Sequence, residues 1–225
     1  MKALEAVVFD MDGVLIDSEP LHLEVEREVC LNFGIDVPLE EWEGFKGMAA
    51  RDMYTYIAAH FGDGSIPAET LIESKERLYR ALFPTRVKPM PKALEFLVRA
   101  RRSFAHIGLT ISSSGKDQLM AFEQFGLHLY FDAVVTGDLV EQAKPHPEPY
   151  LKTLGELGVS ASTCLVIEDS TNGVRSAHAA GCRVAGFTSS FAAENLVDAG
   201  ADFTFDYFTE LAEMLGMGAS EEACS

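Results

Sequence analysis

Two acids, Asp10 and Asp12, stand one residue apart directly after the apolar run Ala6–Phe9. Carboxylates at the end of a buried strand need a cation, a proton or hydrogen-bond donors, because desolvated anions are costly without them. Gly13 follows and permits a sharp turn or a close backbone approach. Three further stretches also follow apolar runs. Ser112-Ser113-Ser114-Gly115 leads into a helix, Lys144-Pro145-His146-Pro147 holds a lone base in a stiff proline frame, and Glu168-Asp169-Ser170 adds two more acids. Singly, these are ordinary features: an Asp-Gly turn, an N-cap, a solvated lysine, a capped helix start. Jointly they fit a site for a hard divalent cation and a phosphoryl group. Clustered oxygens suit Mg²⁺, which keeps several waters and shares substrate phosphate oxygens. Hydroxyls and amides at a helix N-terminus cradle phosphate.

The surrounding pattern dictates how these stretches meet. Residues 19–33 read as a helix closed by Gly34, and Pro38–Trp42 as another helix start. Arg51–Phe61 reads as a helix stopped by Gly62-Asp63-Gly64, and Pro67–Phe83 as one with helical apolar spacing. No strand is expected between Glu19 and Phe83. Pro84–Pro91, with three prolines in eight residues, reads as a linker. Helices and strands then alternate. Helices are expected at 92–101, 116–125, 149–157 and 173–180, and strands at 106–112, 133–136, 164–167 and 183–187. A short apolar stretch at 202–205 precedes a last helix, and the tail from Gly216 is expected to fray. Such alternation implies a doubly wound parallel sheet, an α/β fold with an inserted α-helical cap domain. The expected division is 1–17 with 88–225 as the core and 18–87 as the cap. In a parallel sheet the four chemically loaded strand ends share one edge, where ligands of such folds sit.

Composition narrows the partners. The formal net charge of −17 over 225 residues opposes nucleic acid and anionic membranes, since the long-range field repels both. An anionic substrate therefore needs a local patch of Lys, backbone N–H or metal. Cys30, Cys164, Cys182 and Cys224 have no Cys-x-x-Cys spacing, which argues against zinc and a disulfide framework; Cys164 and Cys182 read as core residues. No apolar run reaches the roughly 18 residues of a membrane span, and no secretory leader is visible. A cytoplasmic monomer acting on a small phosphorylated metabolite is the expectation.

Asp10-Met11-Asp12-Gly13-Val14-Leu15-Ile16-Asp17, then Ser113, Lys144-Pro145 and Glu168-Asp169-Ser170, resemble the four ordered motifs of the haloacid dehalogenase-like hydrolase superfamily. The helical insertion after the first motif is similar to that of its α-helical-cap phosphatases and β-phosphoglucomutases. The resemblance implies an aspartyl-phosphate on Asp10, with Asp12 as the acid and base that serves leaving group and water. Asp10 is expected to be ionised without help, as a carboxylate with a pKa of about 4 is at neutral pH. The resemblance also implies that Lys144 offsets charge between Asp10 and the phosphoryl group, and that Ser113 and the N–H of Ser114 hold phosphoryl oxygens. Mg²⁺ would bind Asp10, the Asp12 carbonyl and Asp169, with Glu168 acting directly or through water. Two acids in the first motif argue against a dehalogenase.

Substrate choice is expected from the cap. Gly47–Asp52 is the candidate loop, with Arg51 suited to an oxyanion. His22 and Lys75 fall where related enzymes place substrate-discriminating residues. Each also has a plain surface or packing role open to it. Lys92 occupies a position where the related pattern has Gly. The leading reading is a Mg²⁺-dependent phosphatase of a sugar or polyol phosphate. The alternatives are a β-phosphoglucomutase-like mutase and an inactive binding protein on the same fold.

Overall fold

The computed structural model describes residues Ala3–Lys46, Met48 and Ala50–Met217. They form two compact units, one from the residues up to Asp17 together with Pro89 onward, the other Ser18–Lys88.

The first unit is a six-stranded parallel sheet. Strand β1 (Ala6–Phe9) lies at its centre, paired in parallel with β2 (His106–Thr110) on one side and β4 (Cys164–Glu168) on the other. The chain order outward is β3 (Ala133–Val135), β2, β1, β4, β5 (Arg183–Phe187) and β6 (Phe203–Phe205). Both faces are covered, which is why the strands are continuous apolar runs. The two-residue period sorts each run. Ala6, Val8, Cys164 and Val166 pack with Tyr150, Leu154 and Leu157 of helix α6 (Glu148–Leu157) and with Val174 and Ala177 of α7 (Thr171–Ala179). Phe9 points the other way, edge-on to Phe96 of α4 (Ala93–Ser103) at 6.0 Å, and Phe96 meets Phe208 of α9 (Phe208–Met214) at 5.1 Å. Helix α5 (Gly115–Phe125) follows β2, closed by Gly126 at φ 68°.

The second unit is helical: α1 (Glu19–Asn32), a single turn at Trp42–Phe45, α2 (Ala50–His60) and α3 (Ala68–Arg86). Helix α3 runs through Pro84, which corrects the linker expected from Pro84 onward. A proline removes one backbone donor, and buried Tyr79 and Phe83 keep the last turn packed. Helix α8 (Ala193–Ala199) was not foreseen, because Ala192–Ala199 offers little periodicity beyond buried Leu196. Lys92, standing where Gly was expected, adopts φ 64°, the single non-glycine at positive φ among the described residues. Among the described residues no helix is long and apolar enough to cross a membrane. Cys30, Cys164 and Cys182 are buried free thiols; Cys224 lies outside the described residues.

Candidate active site

The face of the sheet beneath α6 carries its alternation one step past the apolar core. The stripe Ala6, Val8 continues to Asp10, and Cys164, Val166 continues to Glu168. Apolar side chains thus hand over to acids at the same sheet edge. Lys144, from the loop before α6, reaches into this edge with its side chain 5% exposed. Its Nζ donates to Asp10 Oδ1 at 2.5 Å, to Glu168 Oε1 at 2.7 Å and to the Thr110 carbonyl at 2.9 Å. Three strand ends therefore converge on one ammonium.

Glu168 is fully buried and heavily bonded. Oε1 accepts from Lys144 and, at 2.7 Å, from the hydroxyl of Tyr150. Oε2 accepts from the N–H groups of Asp169 and Ser170 at 3.1 and 3.2 Å and from the Ser170 hydroxyl at 3.1 Å. Gly173 makes room for it: a Cβ there would stand 1.8 Å from Oε1. Tyr150 lies under Lys144, with Nζ 5.0 Å from the ring centroid.

Electrostatics follow from four carboxylates, Asp10, Asp12, Glu168 and Asp169, grouped about one ammonium. Burial pushes the Asp10 carboxyl up to about 8; Lys144 pulls it down, while Glu168 and Asp12 push it further up. Burial would also lower Lys144, but Asp10 and Glu168 more than offset this and hold the ammonium above its ordinary value. The expectation that Asp10 ionises unaided is thereby corrected. One ammonium does not offset burial and two neighbouring carboxylates, and a further cation would oppose the rise.

The chain around the site supplies donors fit for such a cation. Asp169 is 4% exposed, and a Cβ on Gly13 would lie 2.0 Å from its Oδ2, so the turn after β1 sits directly against it. Gly13 adopts φ 73° and is sterically obligatory there. Among the described residues, no three acidic, imidazole or thiol side chains gather closely enough to hold an ion alone. Carboxylate oxygens such as those of Asp10 and Asp169 would suit Mg²⁺, which takes one or two carboxylates and fills its remaining positions with water and phosphate oxygens.

On the other flank, Ser113 donates to Asp12 Oδ2 at 3.4 Å. Ser114 caps α5, accepting from the Asp117 N–H at 3.4 Å. Asp138 accepts from the Gly115 N–H at 3.2 Å, fixing the start of that helix. The structure thus brings Asp10, Asp12, Ser113, Lys144, Glu168 and Asp169 to one edge, with Ser114 beside Ser113. Sequence reasoning missed Tyr150, Ser189 and Ser190. Tyr150 was detectable as a tyrosine six residues beyond the lysine. Ser189 and Ser190 lie in the turn after β5, a strand whose end carries no charged motif.

The cap candidates all lie in the helical unit. His22 stacks on Tyr79 with centroids 4.4 Å apart, and Lys75 Nζ lies 5.3 Å from the same ring. Burial, and after it the neighbouring Lys75, hold His22 well below its usual range. Arg51 pairs instead with Glu69, both exposed. Gly47 and Ala49 of the expected loop lie outside the described residues.

The family model for haloacid dehalogenase-like hydrolases matches residues 7–187. The chain belongs to that family. It is 32% identical over 203 residues to a phosphorylated carbohydrates phosphatase of Thermotoga maritima, covering 88% of this chain and 92% of that one. It is 31% identical over 178 residues to a fructose-1-phosphate phosphatase of Escherichia coli, covering 78% and 92%. The crystal structure of CbbY from Rhodobacter sphaeroides in complex with phosphate superposes with a TM-score of 0.80 at 28% identity, covering 92% of this chain and 96% of that one. Within this family, the Asp10–Asp12 pair on a Rossmann-like core with a helical cap equips the chain as a phosphoric monoester hydrolase.

Proposed function

We propose that the chain is a Mg²⁺-dependent phosphatase of small sugar or polyol phosphates, working through an aspartyl-phosphate on Asp10. The observation that carries this is Lys144, whose buried ammonium bonds Asp10 while being anchored from behind by Glu168 and Thr110. The carbohydrate and fructose phosphatases among its relatives support the substrate class.

Asp10, the backbone carbonyl of Asp12 and Asp169 would hold the ion. When bound, Mg²⁺ supplies the positive charge that favours ionised Asp10 and neutralises phosphate oxygens. Asp10 attacks phosphorus and the ester oxygen departs, taking its proton from Asp12. Asp12 then accepts a proton from the water that hydrolyses the acyl phosphate and frees Asp10. Lys144 offsets the charge that accumulates between Asp10 and the transferring group; a unit pair at about 4 Å is worth roughly 4 kcal/mol at an intermediate dielectric. Ser113 and the Ser114 N–H hold phosphoryl oxygens. With five protein donors on its two oxygens, Glu168 is assigned to hold Lys144 and the turn at 168–170, acting on the ion at most through water. His22 and Lys75, gathered on Tyr79, are the residues proposed to read the substrate's hydroxyls.

The test is a panel of phosphorylated metabolites with and without Mg²⁺, followed for phosphate release. Release that requires Mg²⁺ and vanishes in Asp10→Asn, with folding intact, is expected. Conversion of β-glucose 1-phosphate to glucose 6-phosphate with little release would replace this reading with a mutase. Full activity in Asp10→Asn would overturn the mechanism.

A further inference from the structure

We propose that Ser190, with Ser189 beside it, is a positioning residue for the cation site; the inference rests on the reading above that Asp169 binds Mg²⁺. Both serines follow β5, a strand that contributes none of the residues assigned so far. The Ser190 hydroxyl donates to Asp169 Oδ2. The Ser189 hydroxyl donates to the Gly13 carbonyl at 2.7 Å and lies 3.4 Å from the same Oδ2. A Cβ on Gly13 would also stand 3.0 Å from Ser190 Oγ. The turn after β1, the end of β4 and the end of β5 are therefore tied into one knot around a single carboxylate.

The geometry of this knot determines what it does. A carboxylate has about four lone-pair sites, and a hydroxyl fixed on one of them sets the rotation of the group while leaving others to the ion and its waters. Serine is neutral, so it orients Asp169 without cancelling the charge that attracts a cation. Ser189 restrains the carbonyl of Gly13, and with it the turn bearing the Asp12 carbonyl. Both oxygen donors contributed by these two loops are thus held before any ion arrives, which reduces the ordering that binding must bring about. Hydrogen-bond partners of this kind typically govern about 10- to 100-fold in metal affinity.

Calorimetric titration of Mg²⁺ into the full chain, without substrate, tests this. Ser190→Ala is expected to bind Mg²⁺ about tenfold more weakly. Ser190→Thr, which keeps the hydroxyl, should bind as the unaltered chain does. Turnover by Ser190→Ala should recover fully at saturating Mg²⁺, a separation that general structural damage would not produce. Ser190→Ala binding Mg²⁺ as tightly as the unaltered chain would overturn the proposal. An unaltered chain that takes up no Mg²⁺ would overturn the metal assignment of Asp169 and this inference with it. The expected order of Mg²⁺ affinities in a chain that releases no phosphate from any ester would uphold the inference and sink the phosphatase reading alone.

Discussion

Tyr150 and Lys144 share one acceptor: both donate at 2.7 Å to Oε1 of the fully buried Glu168. The phenol thereby draws off part of the carboxylate's pull on the ammonium that Asp10 also uses. Tyr150→Phe keeps the ring beneath Lys144 and removes the donor alone. A hydrogen bond to a charged group contributes about 1.5–3 kcal/mol, so the urea midpoint should fall accordingly. Lys144 should settle closer to Glu168, lowering kcat by about tenfold, or some 1.4 kcal/mol, with little change in KM. Unaltered melting and turnover would mean that Glu168 is held without the phenol.

Gly173 reverses an ordinary rule. Alanine inside a helix is favoured over glycine by about 1 kcal/mol. Here the added Cβ would meet the Glu168 carboxylate at 1.8 Å, and that carboxylate cannot retreat without losing its donors. Gly173→Ala should destabilise the fold by about 1–3 kcal/mol, the range for overpacked sites, and lose activity. Equilibrium unfolding gives the sign directly, and a more stable variant would refute the packing argument.

Lys92 offers the opposite case. A left-handed conformation costs a residue with a Cβ about 1–2 kcal/mol, and glycine avoids that cost at some expense in unfolded-chain entropy. Lys92→Gly should therefore stabilise by about 0.5–1 kcal/mol despite losing the exposed pair with Glu95, since such pairs contribute little. Thermal melting of the variant checks it.

In the helical unit, Glu26 on α1 is pushed up to about 7 by burial, with Lys75 opposing and Glu19 adding to the rise. Cys30 on the same helix and Tyr54 on α2 also face it. A carboxyl raised in the folded state binds its proton more tightly there than in the unfolded chain. Its favourable contribution is present below about pH 4.5 and is lost as pH rises through 7, by about 2 kcal/mol after allowance for residual exposure. Glu26→Gln should flatten that part of the stability profile and be the more stable chain at pH 8. Parallel slopes for the two proteins between pH 4.5 and 7.5 would exclude the effect.

The parallel sheet and its loaded edge were legible because chemistry followed three of the apolar runs directly and a fourth, at Lys144, after a short loop. Asp10 and Glu168 even sit on the face that the alternation of Ala6–Val8 and Cys164–Val166 dictates. What escaped had no such signal. Helix α3 continues through Pro84 because tertiary packing of Tyr79 and Phe83 outweighs one missing donor, and packing is invisible in local composition. Ser189 and Ser190 carried no signal, since their partner Asp169 lies 20 and 21 residues away in sequence and is met only across the sheet. The upward displacement of Asp10 depends first on burial and then on the neighbouring Glu168 and Asp12, which spacing alone does not supply.

The position of β1 also sets the order in which the chain can assemble. Ala6 pairs with His106 on one side and with Cys164 on the other, so the first strand made has no sheet partner until distant segments exist. Folding must close long loops before those pairings stabilise anything, a cost that is general to parallel sheets. During synthesis, Ala6–Phe9 has no sheet partner until β2 emerges and lacks its second until β4 does. The strand bearing Asp10 is thus translated before either of its partners, and a chain arrested before β4 would carry it incompletely paired, as an aggregation hazard.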